Sequence, residues 1–107
     1  MEERLARKIM SRYFKTKGVK AHAQRGAGPD FLEAGKAIEI KGSGANFNKA
    51  ISQYIRYIFR YSDLAVAMPI DLLKAENLFK FDLLCRIVYQ QMTKYVKAYL
   101  ISKGRDG

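Results

Sequence analysis

The sequence predicts an α/β domain, a small mixed sheet flanked by helices. Three observations point there. Helix-period and strand-period segments alternate along the chain. A tight hairpin fits between Asp30 and Lys41. A short, nearly all-apolar run, Leu64 to Met68, follows a helical segment and stops at Pro69. That run reads as a buried strand, parallel to its neighbour after a helical crossover. At 107 residues the chain is expected to form one domain over 1–107, since two cores would each be too small to hold.

The elements follow in order. Residues 2–17 read as an amphipathic helix with Leu5, Ile9 and Tyr13 on its apolar stripe, ended by Gly18. Val19 to Gln24 alternates like a short strand, and Arg25-Gly26-Ala27-Gly28-Pro29 is a loop. Asp30 to Glu33 and Lys36 to Lys41 pair as a hairpin turned at Ala34-Gly35. Its alternation puts Ile38 and Ile40 on one face and Glu39 and Lys41 on the other. After Gly42-Ser43-Gly44-Ala45, Asn46 caps a helix from Phe47 to Tyr61. Ile70 to Phe79 and Phe81 to Met92 read as two helices, and Tyr95 to Ser102 as a strand at a sheet edge.

Composition narrows the function classes. The single cysteine, Cys85, excludes an internal disulfide and a cysteine-ligated zinc or iron–sulfur site within one chain. It favours a reducing, cytoplasmic setting. No run approaches the roughly 20 apolar residues of a membrane span, and no secretory signal is evident. The formal charge of +10 predicts salt-sensitive binding to a polyanion. The excess is concentrated in residues 1–25, with eight basic residues against two acids.

The informative constellation is Gly28-Pro29-Asp30 followed by Glu39-Ile40-Lys41. Two carboxylates brought to one face of adjacent strands make a hard oxygen site suited to Mg²⁺ or Mn²⁺. The Ile40 carbonyl is a further candidate ligand. An ammonium at Lys41 can orient an attacking water and stabilise a pentacovalent phosphorus. A cross-strand surface ion pair accounts for Glu39 and Lys41 taken alone, so the joint pattern carries the reading.

In these residues the sequence resembles the PD-(D/E)XK nuclease superfamily. Pro29-Asp30 and Glu39-Ile40-Lys41 match its defining motif, and the resemblance covers roughly residues 1–69. It implies a restriction-endonuclease-like three-layer core and Mg²⁺-dependent hydrolysis of DNA phosphodiesters. Asp30 and Glu39 would then bind metal and Lys41 would be catalytic. Glu2, with Leu5, is similar to the Glu-x-x-Leu stripe of archaeal Holliday junction resolvases and would join the metal site. Glu3 competes for that role, and a favourable helix dipole explains an acid at either position. Gln53 and Tyr57 resemble the Gln-x-x-x-Tyr element of RecB-like nucleases, where the glutamine faces the site and the tyrosine supports it or meets DNA. Two departures narrow the branch: one cysteine cannot supply the iron–sulfur cluster of some members, and Arg25 is followed by Gly26 where junction resolvases usually carry serine.

Arg25, Arg4, Arg7, Arg12 and Lys49, with Tyr57, are the candidate DNA contacts, and backbone contacts of this kind carry no sequence information. His22 is a candidate ligand or proton carrier, or a structural residue. A homodimer is expected, with Leu83, Leu84, Ile87 and Val88 as candidate interface or as core. The competing functions are a nucleic-acid-binding module that keeps the fold without turnover, and a basic structural, nucleic-acid-associated domain.

Overall fold

A computed structural model describes residues 1–102; the rest of the domain expected over 1–107 lies outside the described residues. Eight elements follow one another: α1 (Glu3–Thr16), β1 (His22–Ala23), β2 (Phe31–Glu33), β3 (Lys36–Ile40), α2 (Phe47–Arg60), β4 (Leu64–Pro69), α3 (Ala75–Met92) and β5 (Val96–Ile101). The strands form one mixed sheet in the order β1-β2-β3-β4-β5. The first three are antiparallel, while β3, β4 and β5 run parallel. The parallel pairs are joined through α2 and α3, as parallel strands require.

Strand alternation divides the core in two. Ile38 and Ile40 of β3, Ala67 of β4 and Ile101 of β5 pack with Ala6, Met10 and Phe14 of α1. Ala37, Leu64, Val66 and Met68 point the other way, into α2 and α3. The result is a helix–sheet–helix sandwich of three layers. Among the described residues no helix is long and apolar enough to cross a membrane.

The hairpin is pinned by its turn. Ala34 and Gly35 both take positive φ, +48° and +82°, between the paired Glu33 and Lys36. Two successive left-handed residues match the right-handed twist of the strands they join. The register this sets puts Phe31 opposite Ile38.

Four expectations are corrected. The buried stripe of α1 is Ala6, Met10 and Phe14, whereas Leu5, Ile9 and Tyr13 are 49%, 37% and 40% exposed. The small Ala6 lets the helix lie close to the sheet, and the larger apolar stripe beside it is left outside. The β1 pairing is shorter than Val19–Gln24, because the Val19 N–H is spent on the Phe14 carbonyl at the end of α1 (2.8 Å). The two helices expected over 70–92 are one, α3, since neither glycine nor proline interrupts it. Residues 70–74 instead form a turn, with the Leu72 N–H on the Pro69 carbonyl, that buries Leu72. Finally, Leu84 and Val88 belong to the core, so of the candidate interface residues Leu83 and Ile87 are left exposed.

The exit of β3 passes against the start of α1. A Cβ placed on Gly42 would lie 2.4 Å from the Glu3 nitrogen and 2.9 Å from the Glu2 carbonyl carbon. Both are backbone atoms that cannot swing away. Gly42→Ala should therefore cost about 1–3 kcal/mol, the usual range for overpacking, measurable by urea denaturation. An unchanged midpoint would mean that this contact is looser than described.

Candidate active site

Asp30 sits one residue before β2. Its Oδ2 accepts a hydrogen bond from the Ile40 N–H at 2.8 Å, so the carboxylate stands in the ladder where the hairpin partner is Pro29, which the register places opposite Ile40. This main-chain bond fixes the first acid beside the strand that carries the second. The other oxygen, Oδ1, accepts from Arg7 Nη1 at 2.8 Å.

Glu39 points to the α2 side of the sheet, opposite to Ile38 and Ile40, and is 4% exposed. Its Oε2 lies 3.0 Å from Lys41 Nζ, and its Oε1 is buried without a partner. Burial is the first cause that pushes its pKa up, and the neighbouring Asp30 carboxylate adds to it. The bond to Lys41 only partly offsets these, and the value reaches about 7. Lys41, just past β3, is anchored by its N–H on the Ala67 carbonyl, and its Nζ also donates to Gln53 Oε1 from α2. The helix thus holds the ammonium against the acid.

Tyr54, next to Gln53, is fully buried, and its hydroxyl also lacks a partner. Burial pushes its pKa up, and the charges of Glu39, Asp30 and Glu3 push it further. Helical periodicity places Tyr54 on the apolar side of α2, and nothing in that pattern separates a tyrosine that only packs from one whose hydroxyl sits among acids.

Lys41 and Gln53 line a cleft of about 640 Å³ whose wall also includes Glu3, Asn46, Lys49 and Arg56. Glu3, the first residue of α1, borders this cleft. Glu2, the expected metal ligand, precedes the helix in extended conformation and lines a neighbouring recess with Met1 and Ser43. The acid that α1 brings to the Lys41–Gln53 wall is Glu3.

The other expected residues separate into groups. Arg4, Arg12, Arg25 and Lys49 are exposed, Arg25 on the loop with Gly26 and Gly28. Arg7, expected on phosphate, turns onto Asp30 instead. Tyr57 is only 3% exposed and packs edge-on against Tyr61, which leaves it little surface to offer a DNA strand. His22 is exposed on β1.

Among the described residues no three His, Cys, Asp or Glu side chains converge as a ready-made cation cage. The donor set that is present still suits a hard divalent ion that keeps several of its waters. Asp30 and Glu39 are adjacent carboxylates, and the orphaned Oε1 of Glu39 is a buried oxygen in want of a positive partner. No protein-family model matches this sequence, and no curated protein or solved structure matches it. What the site does has to be read from its own chemistry.

Proposed function

We propose that this protein is a divalent-metal-dependent DNA phosphodiesterase of the PD-(D/E)XK kind. One observation carries the reading: a buried glutamate with an unpartnered oxygen lies beside Asp30 and is bonded to Lys41, which itself lines an open cleft flanked by Lys49 and Arg56. A buried carboxylate oxygen left without a partner is costly to stability, and carboxyls perturbed in this way cluster at functional sites. The Pro29-Asp30 and Glu39-Ile40-Lys41 pattern that resembles the superfamily falls on these same residues.

In this reading Asp30 and Glu39 would hold Mg²⁺ or Mn²⁺, and Glu3 borders the same cleft as Lys41. Such an ion, when bound, lowers the pKa of a water and neutralises charge on phosphate. Lys41 directs two of its three N–H bonds to Glu39 and Gln53. The third is left for a non-bridging phosphate oxygen as water adds to phosphorus and the P–O bond to the leaving sugar oxygen breaks. Gln53 keeps the ammonium in that orientation. Lys49 and Arg56 at the cleft wall attract the strand through its backbone, so recognition follows DNA shape more than sequence.

A second reading is favoured by the ion pairs themselves. Arg7 on Asp30 and Lys41 on Glu39 neutralise both acids, which lets a non-cleaving DNA-binding module carry them near phosphate. The test is incubation of branched, duplex and single-stranded DNA with Mg²⁺ or Mn²⁺, comparing the wild type with Asp30→Asn. Cleavage by the wild type, abolished by chelator and reduced at least about 100-fold in the variant, is expected. Binding without cleavage by either protein would establish the module, and equal cleavage by both would place the activity elsewhere.

A further inference from the structure

We infer that Arg7 is a built-in counter-cation for Asp30, a positioning residue that occupies the acid before the divalent ion arrives and so sets the ion concentration at which the site fills. This rests on the metal-dependent reading above.

The geometry is specific. Arg7 Nη1 donates to Asp30 Oδ1 at 2.8 Å, while Nη2 reaches the carbonyls of Gln24 at 3.1 Å and of Asp30 itself at 3.3 Å. The guanidinium carbon also lies 5.4 Å from the centre of the Phe31 ring. One side chain of α1 therefore grips the carboxylate and also the main chain on both sides of the loop from Gln24 to Asp30. With the Ile40 N–H on Oδ2, both oxygens of Asp30 are engaged. Both belong to a carboxyl whose side chain is only 12% exposed. Glu39 Oε1 is the buried carboxylate oxygen of this site without a partner.

Two consequences follow. A divalent ion finds an unpartnered, buried oxygen on Glu39 but must share or take Asp30 from a guanidinium. Arg7 cannot simply leave, because its bonds to the Gln24 and Asp30 carbonyls and its place over Phe31 do not depend on the carboxylate charge. A fixed positive charge then remains close to the incoming one, and the two repel. Arg7 thus does two things with opposite signs for ion binding. It orders the loop that presents Asp30, which favours the ion, and it places a cation next to the ion, which opposes it. The charge effect acts at contact distance on a carboxylate only 12% exposed; the 39% exposure of the Arg7 side chain screens it in part, and it is still the larger of the two.

The experiment is Mn²⁺ titration followed calorimetrically at pH 8, on wild type, Arg7→Gln, Arg7→Lys and Asp30→Asn, each checked for its thermal melt. Arg7→Gln removes the charge and keeps an amide donor, and should tighten Mn²⁺ binding by roughly tenfold or more. Arg7→Lys keeps the charge and should stay within about threefold of wild type. Equal or weaker binding by Arg7→Gln would overturn the inference, because loop ordering alone predicts that loss. Should Arg7→Gln not fold, the wild type decides by NMR: diamagnetic Mg²⁺ should shift the Arg7 side-chain NεH resonance, and an unmoved resonance at saturation would count against the idea. The Asp30→Asn control separates the two layers. If it abolishes Mn²⁺ binding while Arg7→Gln leaves the affinity unchanged, only the role of Arg7 fails. If Mn²⁺ binding survives Asp30→Asn, or neither wild type nor Arg7→Gln binds the ion, the metal-site reading falls with it.

Discussion

Glu39→Gln will make the metal-free protein more stable at pH 8 and nearly unchanged at pH 5. The Glu39 carboxyl is raised from its ordinary 4.5 to about 7. The folded protein therefore holds a proton that the unfolded chain has lost between those values, and stability falls as pH climbs through the window. A rise of this size costs about 3 kcal/mol once the pH exceeds the folded value, at 1.4 kcal/mol per unit. Glutamine removes that cost and nearly preserves the shape. Lys41 loses an ionic partner in the exchange but keeps Gln53, so a net gain of about 2 kcal/mol at pH 8 is expected. Urea unfolding of both proteins in chelator, at pH 5 and pH 8, measures it. The same variant should lose Mn²⁺ binding, and in the wild type that binding should strengthen as pH rises through 7. An identical stability difference at the two pH values would show that Glu39 is not protonated in the folded state.

Where the chain could be read, it was because strict local periodicity left one solution. A two-residue turn at Ala34-Gly35 fixes the hairpin register, and period-two alternation then assigns Glu39 and Lys41 to one face and Ile38 and Ile40 to the other. Asp30 follows from its place at the mouth of the same hairpin. Gln53 is pointed to by the resemblance alone, and α2 brings its side-chain oxygen onto the Lys41 ammonium.

The unread part turns on the rotation of one helix. In α1 the stripe Leu5, Ile9, Tyr13 and the stripe Ala6, Met10, Phe14 lie one residue apart, which is about 100° around the axis. Both are apolar, and hydropathy favours the bulkier. Packing chose the other, because Ala6 admits close approach to the sheet. That choice carries Glu3 and Arg7, one turn apart on the same side, toward the hairpin, and leaves Glu2 outside the helix. The acid at the cleft and the partner of Asp30 thus share one cause. A long-range ion pair of this kind has no local signature: Arg7 in sequence is one more cation on a basic helix. The glycine at position 42 is the nearest thing to a clue, since a strand exit that must touch backbone elsewhere needs a residue without a Cβ.

Lys41→Met should reduce single-turnover DNA cleavage by a factor on the order of 10² to 10⁴, while DNA affinity changes little. The side chain is 14% exposed and committed to Glu39 and Gln53, so it contributes little to the diffuse field that captures a polyanion. On the proposed reading its worth lies in a donor aimed where charge grows on phosphate in the transition state, and losing an interaction made only there lowers the rate without weakening ground-state binding. Methionine fills much of the volume without the charge. It leaves Glu39 without its cation, which raises that carboxyl further and moves metal-dependent activity to higher pH. The two effects separate experimentally. Measured at saturating Mn²⁺ and at pH 9, where Glu39 is ionised in both proteins, a loss that persists belongs to the missing donor, whereas a loss that vanishes belongs to Glu39. Affinity is read in parallel with Ca²⁺ in place of Mn²⁺. A variant that cleaves as fast as wild type would remove Lys41 from the chemistry. It would leave the Glu39–Lys41 contact as an ion pair that only steadies the strand.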